Sequence, residues 1–363
     1  MRPNIIFLLN FRLIIPKLKI LTDKIILWYQ ENKRILPWRD TKDPYKIWVS
    51  EIILQQTQIK TGIKYYEKFL SKYPTIQNLA KAQELEVLKI WEGLGYYNRA
   101  LNMMKAAKQV IMFFDGIFPT KYTDLIQLAG VGEYTASAIS SICKNEKRAV
   151  LDGNVYRVLS RIYNIKTPIN TTKGKMQFQK IADSLLPNEN TGIYNQAIMD
   201  FGSIHCTKHN PKCLVCPTQK ICQGFQLNLI KNRPVKKKKA TIKNRYFNYL
   251  LINNNNLFII KQRGDNDIWK KLYELPLIES KSIIKSENLI QFKYIKQFDL
   301  LKISKLNSIT HKLSHQKLNI QFWNIKVYKN AIFDAEKKIN IEDVDKYPFP
   351  IPLKNFFNKN RLI

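Results

Sequence analysis

Apolar residues recur at every third or fourth position through most of the stretch from Thr22 to Phe225. The segments with the clearest spacing are PYKIWVSEIILQQTQIKTGIKYYEKFL, NRALNMMKAAKQVIMFF and NVYRVLSRIYNI. This period places apolar side chains on one face of an α-helix, and Pro or Gly signals separate the segments. The pattern predicts an all-helical domain over residues 22–225.

The pattern changes after a basic segment, KNRPVKKKK, that has no apolar face. We interpret residues 226–242 as a basic linker. Beyond it, RYFNYLLI and LFIIKQR flank a run of asparagines as in a β-hairpin, and KLNIQFWNIKVY alternates like a further strand. Residues 243–363 are therefore predicted to form an α+β domain, which makes the chain multidomain.

The start of the chain has a basic residue and an apolar stretch like those of a signal peptide. Asn10 and Arg12 interrupt this stretch, and no small-residue cleavage site follows. We interpret residues 1–21 as an N-terminal extension. No uninterrupted apolar run approaches the ~18 to 20 residues that a membrane span needs, so no membrane association is expected.

Composition adds a strong basic charge to this picture. The chain has 363 residues, 45% of them hydrophobic, and can bury a large core in two domains. Its 60 Lys and Arg residues against 28 Asp and Glu give a net charge of +32, which favours binding to a polyanion such as nucleic acid. Runs of Asn and Lys also indicate the drift of an A/T-rich genome, so charge alone does not assign a partner.

Four of the five cysteines lie within residues 206–222, at the spacing C-x6-C-x2-C-x5-C. They do not suit a disulfide framework in a chain of this length, which fits a reducing cytoplasm. Zinc sites usually have two close pairs of ligands, whereas here one close pair has an isolated cysteine on each side. Four thiolates in one loop suit a [4Fe-4S] cluster, with structural zinc as the alternative. The predicted ligands are Cys206, Cys213, Cys216 and Cys222.

This spacing, at the end of a helical domain, resembles the iron-sulfur loop of the DNA glycosylase superfamily that contains endonuclease III and MutY. The segment LAGVGEYTASAI matches the helix-hairpin-helix of that superfamily, L-x-G-V-G-x-x-T-A. The match implies that Gly130 and Gly132 grip a DNA phosphate, although the glycines alone would indicate only a tight turn. The resemblance also implies that the cysteine loop presents Lys208 and Lys212 to DNA.

Two catalytic carboxylates are implied by the same resemblance. Asp152, in LDGNVYRVLSRI, would face the sugar of the extruded nucleotide and stabilise an oxocarbenium-like transition state. Taken alone, it would be a helix N-cap. Glu51, in SEIILQQTQ, would protonate adenine at N7 and later help activate water, with a pKa raised by partial burial. Taken alone, it would be a solvated surface residue.

Tyr134 stands two residues after the second glycine of the hairpin. The bifunctional endonuclease III branch has a lysine there, which forms a Schiff base with the sugar and leads to strand cleavage. Because a phenol cannot form the imine, the resemblance implies that the glycosidic bond is hydrolysed and the strand is left intact.

Further matches, LPWR, LQQTQ and GLGYY, indicate the MutY branch. They imply two sets of residues: an adenine pocket and a wedge that fills the gap left by the flipped base. The pocket set is Arg34, Trp38, Arg39 and Leu54, and the wedge set is Gln56 and Tyr96. Ordinary core packing is the alternative for the two aromatic residues.

The segments NDIWKKLYELP and THKLSHQKL resemble the MutT-like, or Nudix-like, C-terminal domain of the MutY branch. A hydrolytic MutT relative needs a glutamate-rich helix to bind magnesium, and nothing after Leu272 provides one, so a recognition module is predicted. The family's Phe-Ser-His loop reads Leu313, Ser314 and His315 here. The leucine keeps an apolar wedge but loses an aromatic stack in the predicted 8-oxoguanine site.

These inferences predict a monofunctional adenine DNA glycosylase of base excision repair, which acts as a monomer in a bacterial cytoplasm, at the nucleoid. Its expected partner is double-stranded DNA with adenine opposite 8-oxoguanine or guanine. An endonuclease III-like glycosylase and lyase is the enzymatic alternative, disfavoured by Tyr134 and the second domain. A DNA-binding protein without catalysis is the other alternative, disfavoured by Glu51 and Asp152.

Overall fold

A computed structural model describes residues 5–237, 242–254, 257–328 and 337–360, with side chains described from Lys19 onward except at residues 253 and 254. Its contacts divide the chain into two compact units. The helical unit consists of the residues up to Ala80 and a second stretch that starts at Lys105 and ends in the linker. The sheet unit consists of Lys81–Met104 and the C-terminal residues after the linker.

The region before the linker is helical, as the apolar period predicts. Its α-helices are α1 Ile5–Asn32, α2 Pro44–Leu54, α3 Ile59–Lys72, α4 Ile76–Ala80, α5 Glu84–Ile90, α6 Asn98–Phe113, α7 Tyr122–Leu125, α8 Glu133–Lys144, α9 Gly153–Ile162, α10 Thr172–Ser184, α11 Thr191–Asp200 and α12 Gln223–Gln226. A π-helix, Phe201–His205, continues α11, and 3-10 turns lie at Gln219–Ile221 and Ile230–Asn232. Helix α1 crosses the predicted boundary at residue 21 without a break.

One hydrophobic core of the helical unit lies between α1, α8, α9 and α11. Leu21 and Ile25 of α1 are fully buried there with Val158 of α9 and Ala197 of α11. Since Leu21 belongs to this core, the end of the predicted extension already packs with the helical unit. This packing also holds α8, α9 and α11 around a cavity.

The C-terminal region combines a mixed sheet with short helices, which confirms the predicted α+β class. Its elements are β1 Lys243–Asn254, β2 Leu257–Gln262, β3 Tyr273–Glu274, β4 Leu277–Ser280, α13 Ser286–Leu289, α14 Lys293–Lys296, β5 Leu300–Lys312, β6 Gln316–Val327, β7 Lys337–Asn340 and α15 Ile351–Lys359, with a 3-10 turn at Ile341–Lys346. The sheet order is β3-β2-β1-β6-β5, with β4 also paired to β1 and β7 to β2.

Strand pairing in this sheet is part antiparallel and part parallel. The predicted hairpin around the asparagine run is present as the antiparallel pair β1 and β2, with Asn253 opposite Phe258. Strands β5 and β6 are also antiparallel, whereas β1 and β6 run parallel with Phe247 opposite Ile320. Because side chains alternate along a strand, β1 supplies Phe247 and Tyr249 to one core and Leu250 to another on the opposite face.

Candidate active site

A cavity of about 600 Å³ opens in the helical unit. The size suits a single base and sugar, since ligand pockets usually measure ~300 to 1,000 Å³. The predicted residues that line it are Arg34, Trp38, Arg39, Glu51, Leu54, Gln56, Tyr134 and Asp152. The structure therefore brings both predicted carboxylates, the predicted adenine pocket and one of the two predicted wedge residues to one place.

Glu51 lies on α2, which starts at Pro44 behind an N-cap. The Asp43 side chain accepts a hydrogen bond from the Tyr45 N–H at 2.9 Å and so fixes the start of the helix. Glu51 is only 9% exposed. Burial raises the pKa of its carboxyl to about 7, while the hydrogen bond from the Tyr134 phenol opposes the shift. A surface role is therefore wrong for Glu51, and the carboxyl holds a proton near neutrality.

Asp152 is the N-cap of α9, as its position before a helix predicts. Its Oδ1 accepts hydrogen bonds from the N–H groups of Asn154 at 2.8 Å and Val155 at 2.7 Å. Burial raises the pKa of Asp152, and the hydrogen bonds from Val155 and Asn154 act against that shift. The N-cap and cavity roles are compatible, because the cap fixes the side chain in the cavity wall.

Tyr134 lies on α8 and reaches the same cavity. Its phenol contacts the Sδ of Met199 at 3.3 Å, and burial raises its pKa well above the ordinary value, with the charges of Glu51 and Asp152 adding to the shift. The phenol is thus a neutral hydrogen-bond donor to Glu51. None of the described residues that line the cavity is a lysine.

The two predicted pocket arginines converge on a carboxylate that the sequence analysis did not single out. Asp200 is fully buried and binds the Arg34 Nε at 3.1 Å and an Arg39 terminal nitrogen at 2.9 Å. Arg39 also donates to the Gln196 side-chain oxygen at 3.1 Å. Gln196 and Ser203 line the cavity. The signal was available in YNQAIMDFGSIH, where residues 196, 200 and 203 share a helical face.

Trp38 and Gln56 combine packing with exposure to the cavity. Trp38 is 6% exposed and packs edge-on against Tyr66 with ring centroids 5.2 Å apart, so the core-packing alternative holds together with the pocket role. Gln56 has a φ of 60°, a left-handed backbone conformation that is uncommon for residues with a side chain. Such strain is often kept at functional sites.

The glycine hairpin precedes α8. Gly130 has a φ of 77°, which favours glycine, whereas Gly132 is the extended N-cap of α8. A Cβ built on Gly132 would meet no atom within 4 Å, so the space in front of the helix N-terminus is open. This geometry permits an anion to approach the first N–H groups of α8.

The four cysteines of the loop line one small, mostly apolar cavity. All four are free thiols, and Cys222 is buried. The buried guanidinium of Arg161 donates to the Cys206 Sγ at 3.3 Å and to the Thr207 carbonyl at 2.7 Å, which holds the loop on α9. Lys208 and Lys212 are exposed on the same loop.

Within the described residues, no three His, Cys, Asp or Glu side chains are grouped tightly enough to hold one metal ion. A four-iron cluster makes a different demand, since each thiolate binds its own iron atom and the sulfurs need not meet at one point. Four free thiols around a shared apolar cavity therefore fit a cluster by their chemistry.

A chain of hydrogen bonds connects Asp152 to the start of the cysteine loop. The Asn154 side-chain amide donates to the Asp152 Oδ2 at 2.6 Å and accepts from Arg157 at 2.8 Å. The Arg157 Nε donates to the Cys206 carbonyl at 2.9 Å. Hydrogen bonds thus connect the Asp152 carboxylate to the fold of the loop.

Tyr96 and the Leu313–His315 turn belong to the sheet unit. Tyr96 does not line the cavity, and its phenol forms a 2.7 Å hydrogen bond with the Ser314 hydroxyl. Ser314 and His315 are exposed in the turn between β5 and β6, while Leu313 is half-buried and packs against the core. Leu313 therefore supports the turn as well as offering an apolar surface.

In the described residues, no helix is long and apolar enough to cross a membrane.

Comparison with protein families finds the HhH-GPD superfamily of base excision DNA repair proteins at residues 49–187 and a NUDIX domain at residues 248–359. Both ranges agree with the division of the sequence into a helical and an α+β region.

Among solved structures, the chain is similar to a thermostable thymine-DNA glycosylase, with 30% identity and a TM-score of 0.55 over 58% of this chain and 98% of the other. It also shares the fold of endonuclease III in a non-covalent DNA complex, with a TM-score of 0.52 over 59% of this chain and 98% of the other, at 20% identity.

Full-length similarity is found among adenine DNA glycosylases. That of Buchnera aphidicola subsp. Baizongia pistaciae is 37% identical over 345 residues, which cover 92% of this chain and 95% of the relative. That of Buchnera aphidicola subsp. Acyrthosiphon pisum is 35% identical over 94% of this chain and 98% of the relative. The human protein of the same name is 40% identical over 56% of this chain and 39% of its own length. The chain belongs to the adenine DNA glycosylase family.

Proposed function

We propose that this protein is a monofunctional adenine DNA glycosylase of base excision repair, which hydrolyses the N-glycosidic bond of adenine opposite 8-oxoguanine or guanine. The observation that carries the proposal is the cavity shared by Glu51 and Asp152. Family membership supports a hydrolase of DNA N-glycosidic bonds.

Glu51 is the general acid in this mechanism. Its pKa of about 7 leaves a large protonated fraction near neutrality, so the carboxyl can donate its proton to N7 of an extruded adenine. The C1′–N9 bond then breaks, and its electron pair goes to the protonated base, which leaves as neutral adenine. The resulting Glu51 carboxylate can take a proton from the water that attacks C1′.

Asp152 supplies negative charge to the sugar side of the reaction. Positive charge develops on C1′ and the ring oxygen as the bond breaks, and a carboxylate fixed nearby stabilises it. The three hydrogen bonds that hold Asp152 leave it little freedom, so the charge is in place before reaction. Preorganisation of this kind avoids the cost of reorienting dipoles during catalysis.

Tyr134 limits the reaction to hydrolysis. Its phenol is a hydrogen-bond donor to Glu51, and it offers no amine for a Schiff base. The abasic product should therefore remain on an intact strand. Duplexes with adenine opposite 8-oxoguanine, adenine opposite guanine, or thymine glycol, each incubated with and without alkali, test this point. Breaks should appear only after alkali and only on the adenine duplexes, and a covalent adduct trapped by borohydride would place the protein with the lyases.

One [4Fe-4S] cluster is part of the proposal, bound by Cys206, Cys213, Cys216 and Cys222. When bound, the cluster supplies structural cross-linking of the loop by four iron–thiolate bonds. The loop residues themselves act through position: Arg161 holds the loop on α9, and Lys208 and Lys212 face outward toward DNA phosphates. The exposed lysines add sequence-independent affinity for DNA.

The cluster can be tested with one loop cysteine and the cysteine outside the loop. Cys213→Ser should abolish the brown colour and broad visible absorbance of the purified protein and weaken DNA binding. Cys143→Ser is the matched control, since Cys143 lies on α8 outside the loop, and its absorbance should equal that of the parent. Metal analysis that finds zinc and no iron would reject the cluster.

The remaining parts of the proposal concern the partner and the setting. We assign the exposed Leu313–His315 turn to recognition of 8-oxoguanine. The edge of 8-oxoguanine has an N7–H donor that guanine lacks, and the Ser314 hydroxyl can accept a hydrogen bond from it. The protein should act as a monomer on double-stranded DNA, at the nucleoid of a bacterial cytoplasm. Sedimentation of the free protein and of its complex with one duplex tests the monomeric state.

A further inference from the structure

We propose that the Nε2–H of His205 donates a hydrogen bond to a sulfur of the bound [4Fe-4S] cluster and thereby raises the reduction potential of the cluster. This hydrogen bond requires the proposed cluster and its four cysteine ligands. The observation behind it is a buried nitrogen: among the described residues, Nε2 of His205 has no hydrogen-bond partner, although the residue is only 6% exposed. A polar group buried without a partner is unfavourable, so its presence in a folded protein indicates a missing partner.

His205 lies directly before the first predicted ligand, Cys206, and lines the cavity that the four cysteines share. It is the last residue of the π-helix Phe201–His205, a type of turn that occurs often at functional sites. The Cys206 N–H donates to the Phe201 carbonyl at 2.8 Å, and the His205 carbonyl accepts from the Lys212 N–H at 3.1 Å. These backbone hydrogen bonds fix His205 at the wall of the cavity.

Two aromatic rings fix the orientation of the imidazole. It stacks on Phe201 with ring centroids 4.9 Å apart and an interplanar angle of 18°. Trp28 packs edge-on against it, with ring centroids 5.6 Å apart. Because a close-packed ring cannot turn without breaking these contacts, Nε2 is held in place before a partner binds.

The other uncharged polar side chains of the cavity wall are already engaged. The Thr218 hydroxyl shares a 3.2 Å hydrogen bond with the Cys216 Sγ, and the Gln219 amide donates to the Cys213 carbonyl at 3.0 Å. The sulfurs of a bound cluster carry negative charge, and charged acceptors form the stronger hydrogen bonds. A cluster sulfur is therefore the partner that best suits the Nε2 of His205.

The proton of the imidazole can lie on either ring nitrogen when the ring is neutral. Burial lowers the pKa of His205, the charge of Lys212 adds to this shift, and a hydrogen bond with the Lys212 backbone opposes it. The Lys212 backbone thus competes with the cluster for one proton. A negatively charged sulfur is a stronger acceptor than a neutral carbonyl, so binding of the cluster should place the proton on Nε2.

Selective labelling of histidine with nitrogen-15 tests this contact in the parent protein. Pulsed EPR of the reduced cluster should detect a coupling to a histidine nitrogen, because an N–H···S hydrogen bond brings Nε2 close to the unpaired spin. His209 is the matched control, since it is an exposed histidine of the same loop. The coupling should persist in His209→Phe and disappear in His205→Phe, which keeps an aromatic ring beside Phe201.

The reduction potential separates a hydrogen bond from ordinary packing. Hydrogen bonds to the sulfurs stabilise the reduced, more negative cluster, so His205→Phe should lower the equilibrium constant for reduction about tenfold, equivalent to ~59 mV for one electron. His205→Gln supplies an N–H donor without the ring and should recover part of this change. His209→Phe should keep the parental potential. A histidine that only packs predicts a parental potential in His205→Phe.

The remaining outcomes distinguish this contact from the proposals on which it depends. A parental potential in His205→Phe, or a parent without any coupling to a histidine nitrogen, would overturn the hydrogen bond and leave the cluster and its ligands standing. An equal change of potential in His209→Phe would also overturn it. If His205→Phe does not fold, the nitrogen coupling of the parent and of His209→Phe decides. A parent without iron would reject both the cluster and this contact, while adenine release measured on the same sample reports separately on the glycosylase function.

Discussion

Both units bury a glutamate against a tyrosine phenol, and the two carboxylates have different surroundings. Glu51 in the helical unit has the Tyr134 phenol as its hydrogen-bond donor and a pKa raised by burial to about 7. Glu274 in the sheet unit accepts from the Tyr249 phenol at 3.0 Å and also pairs with the buried Arg263 guanidinium. Burial raises the pKa of both carboxyls, and the largest opposing influence is the charge of Arg263 at Glu274 but the Tyr134 hydrogen bond at Glu51. The first arrangement suits an acid catalyst, and the second suits a structural ion pair.

A similar contrast separates Glu51 from Asp200. Asp200 is fully buried and pairs with Arg34 and Arg39, as Glu274 pairs with Arg263. In the sheet unit, hydrogen bonds from Arg245 lower the pKa of Asp267. Burial is therefore insufficient to identify a catalytic acid. The absence of an arginine among its described hydrogen-bond donors distinguishes Glu51 from Asp200.

The largest expected effect is that of Glu51→Gln on base release. The amide keeps the shape of the side chain and cannot donate the acidic proton, so single-turnover release should fall by ~10² to 10⁴ while mismatch binding is retained. Turnover close to that of the parent would contradict the assignment of Glu51 as the general acid. Binding and cleavage are measured on the same duplex, with adenine opposite 8-oxoguanine.

Glu274→Gln is the matched control for the comparison. It removes the buried carboxylate that pairs with Arg263, while Asp267 still binds that guanidinium at 2.8 Å. Folding free energy should therefore fall by less than the ~3 to 5 kcal/mol typical of a broken buried pair. Its rate per folded molecule should remain that of the parent, with urea unfolding reporting the loss of stability. If Glu274→Gln instead slowed base release in a folded protein, the distinction between exchangeable and structural carboxylates would be wrong.

Asp152→Asn should have the next largest effect. Loss of the charge opposite the developing cation is expected to slow the reaction by ~10² to 10³, the range found when one preorganised electrostatic group is removed. Asparagine is also a good N-cap, so folding free energy should change little. Thermal unfolding provides the check: a variant that is slow because it is unfolded would assign Asp152 only a capping role.

The pH dependence should report the titration of Glu51. Its pKa rises from the ordinary 4.5 to about 7, so the folded protein binds a proton that the unfolded chain releases. This contribution to stability is full below pH ~4.5 and is lost as pH rises to about 7. Urea unfolding measures the free energy of unfolding of the parent and of Glu51→Gln. As pH rises through this window, the parent should lose stability relative to the variant. Base release by the parent should fall about tenfold per unit above pH ~7 as the acid loses its proton.

Local patterns predicted much of this molecule. The helical period, the hairpin at the asparagine run and the change to strands after the linker are confirmed, because each depends on neighbours in the sequence. The parallel pairing of β1 with β6 was not predicted, since it joins segments about 70 residues apart. Lys81–Met104 grouped with the C-terminal region for the same reason: Glu92 and Lys354 pair over a separation of 262 positions.

The candidate site shows a similar division. Family motifs identified Glu51, Asp152 and Tyr134, and the structure places them in one cavity, although their roles remain proposals. The pairing of Asp200 with both arginines was missed, because helical spacing shows which residues share a face without showing what they face. The family resemblance implied a raised pKa for Glu51, and it did not identify the phenol of Tyr134 as the partner of that carboxyl.

The smallest expected effect concerns the exposed edge of the sheet unit. Glu279 binds Arg245 at 2.6 Å, and its side chain is 42% exposed. Solvent screens such a pair, and Asp267 still binds the same guanidinium at 2.7 Å, so Glu279→Gln should reduce folding free energy by less than ~1 kcal/mol. Asp267 has a pKa lowered by the hydrogen bonds of Arg245, and it bridges Arg245 and Arg263, so Asp267→Asn should cost more. Neither variant should change the rate of base release per folded molecule. Urea unfolding in low and high salt checks this expectation. An effect of Glu279→Gln that equals that of Asp267→Asn and persists in high salt would show that the single pair of Glu279 stabilises the fold as much as the two pairs of Asp267.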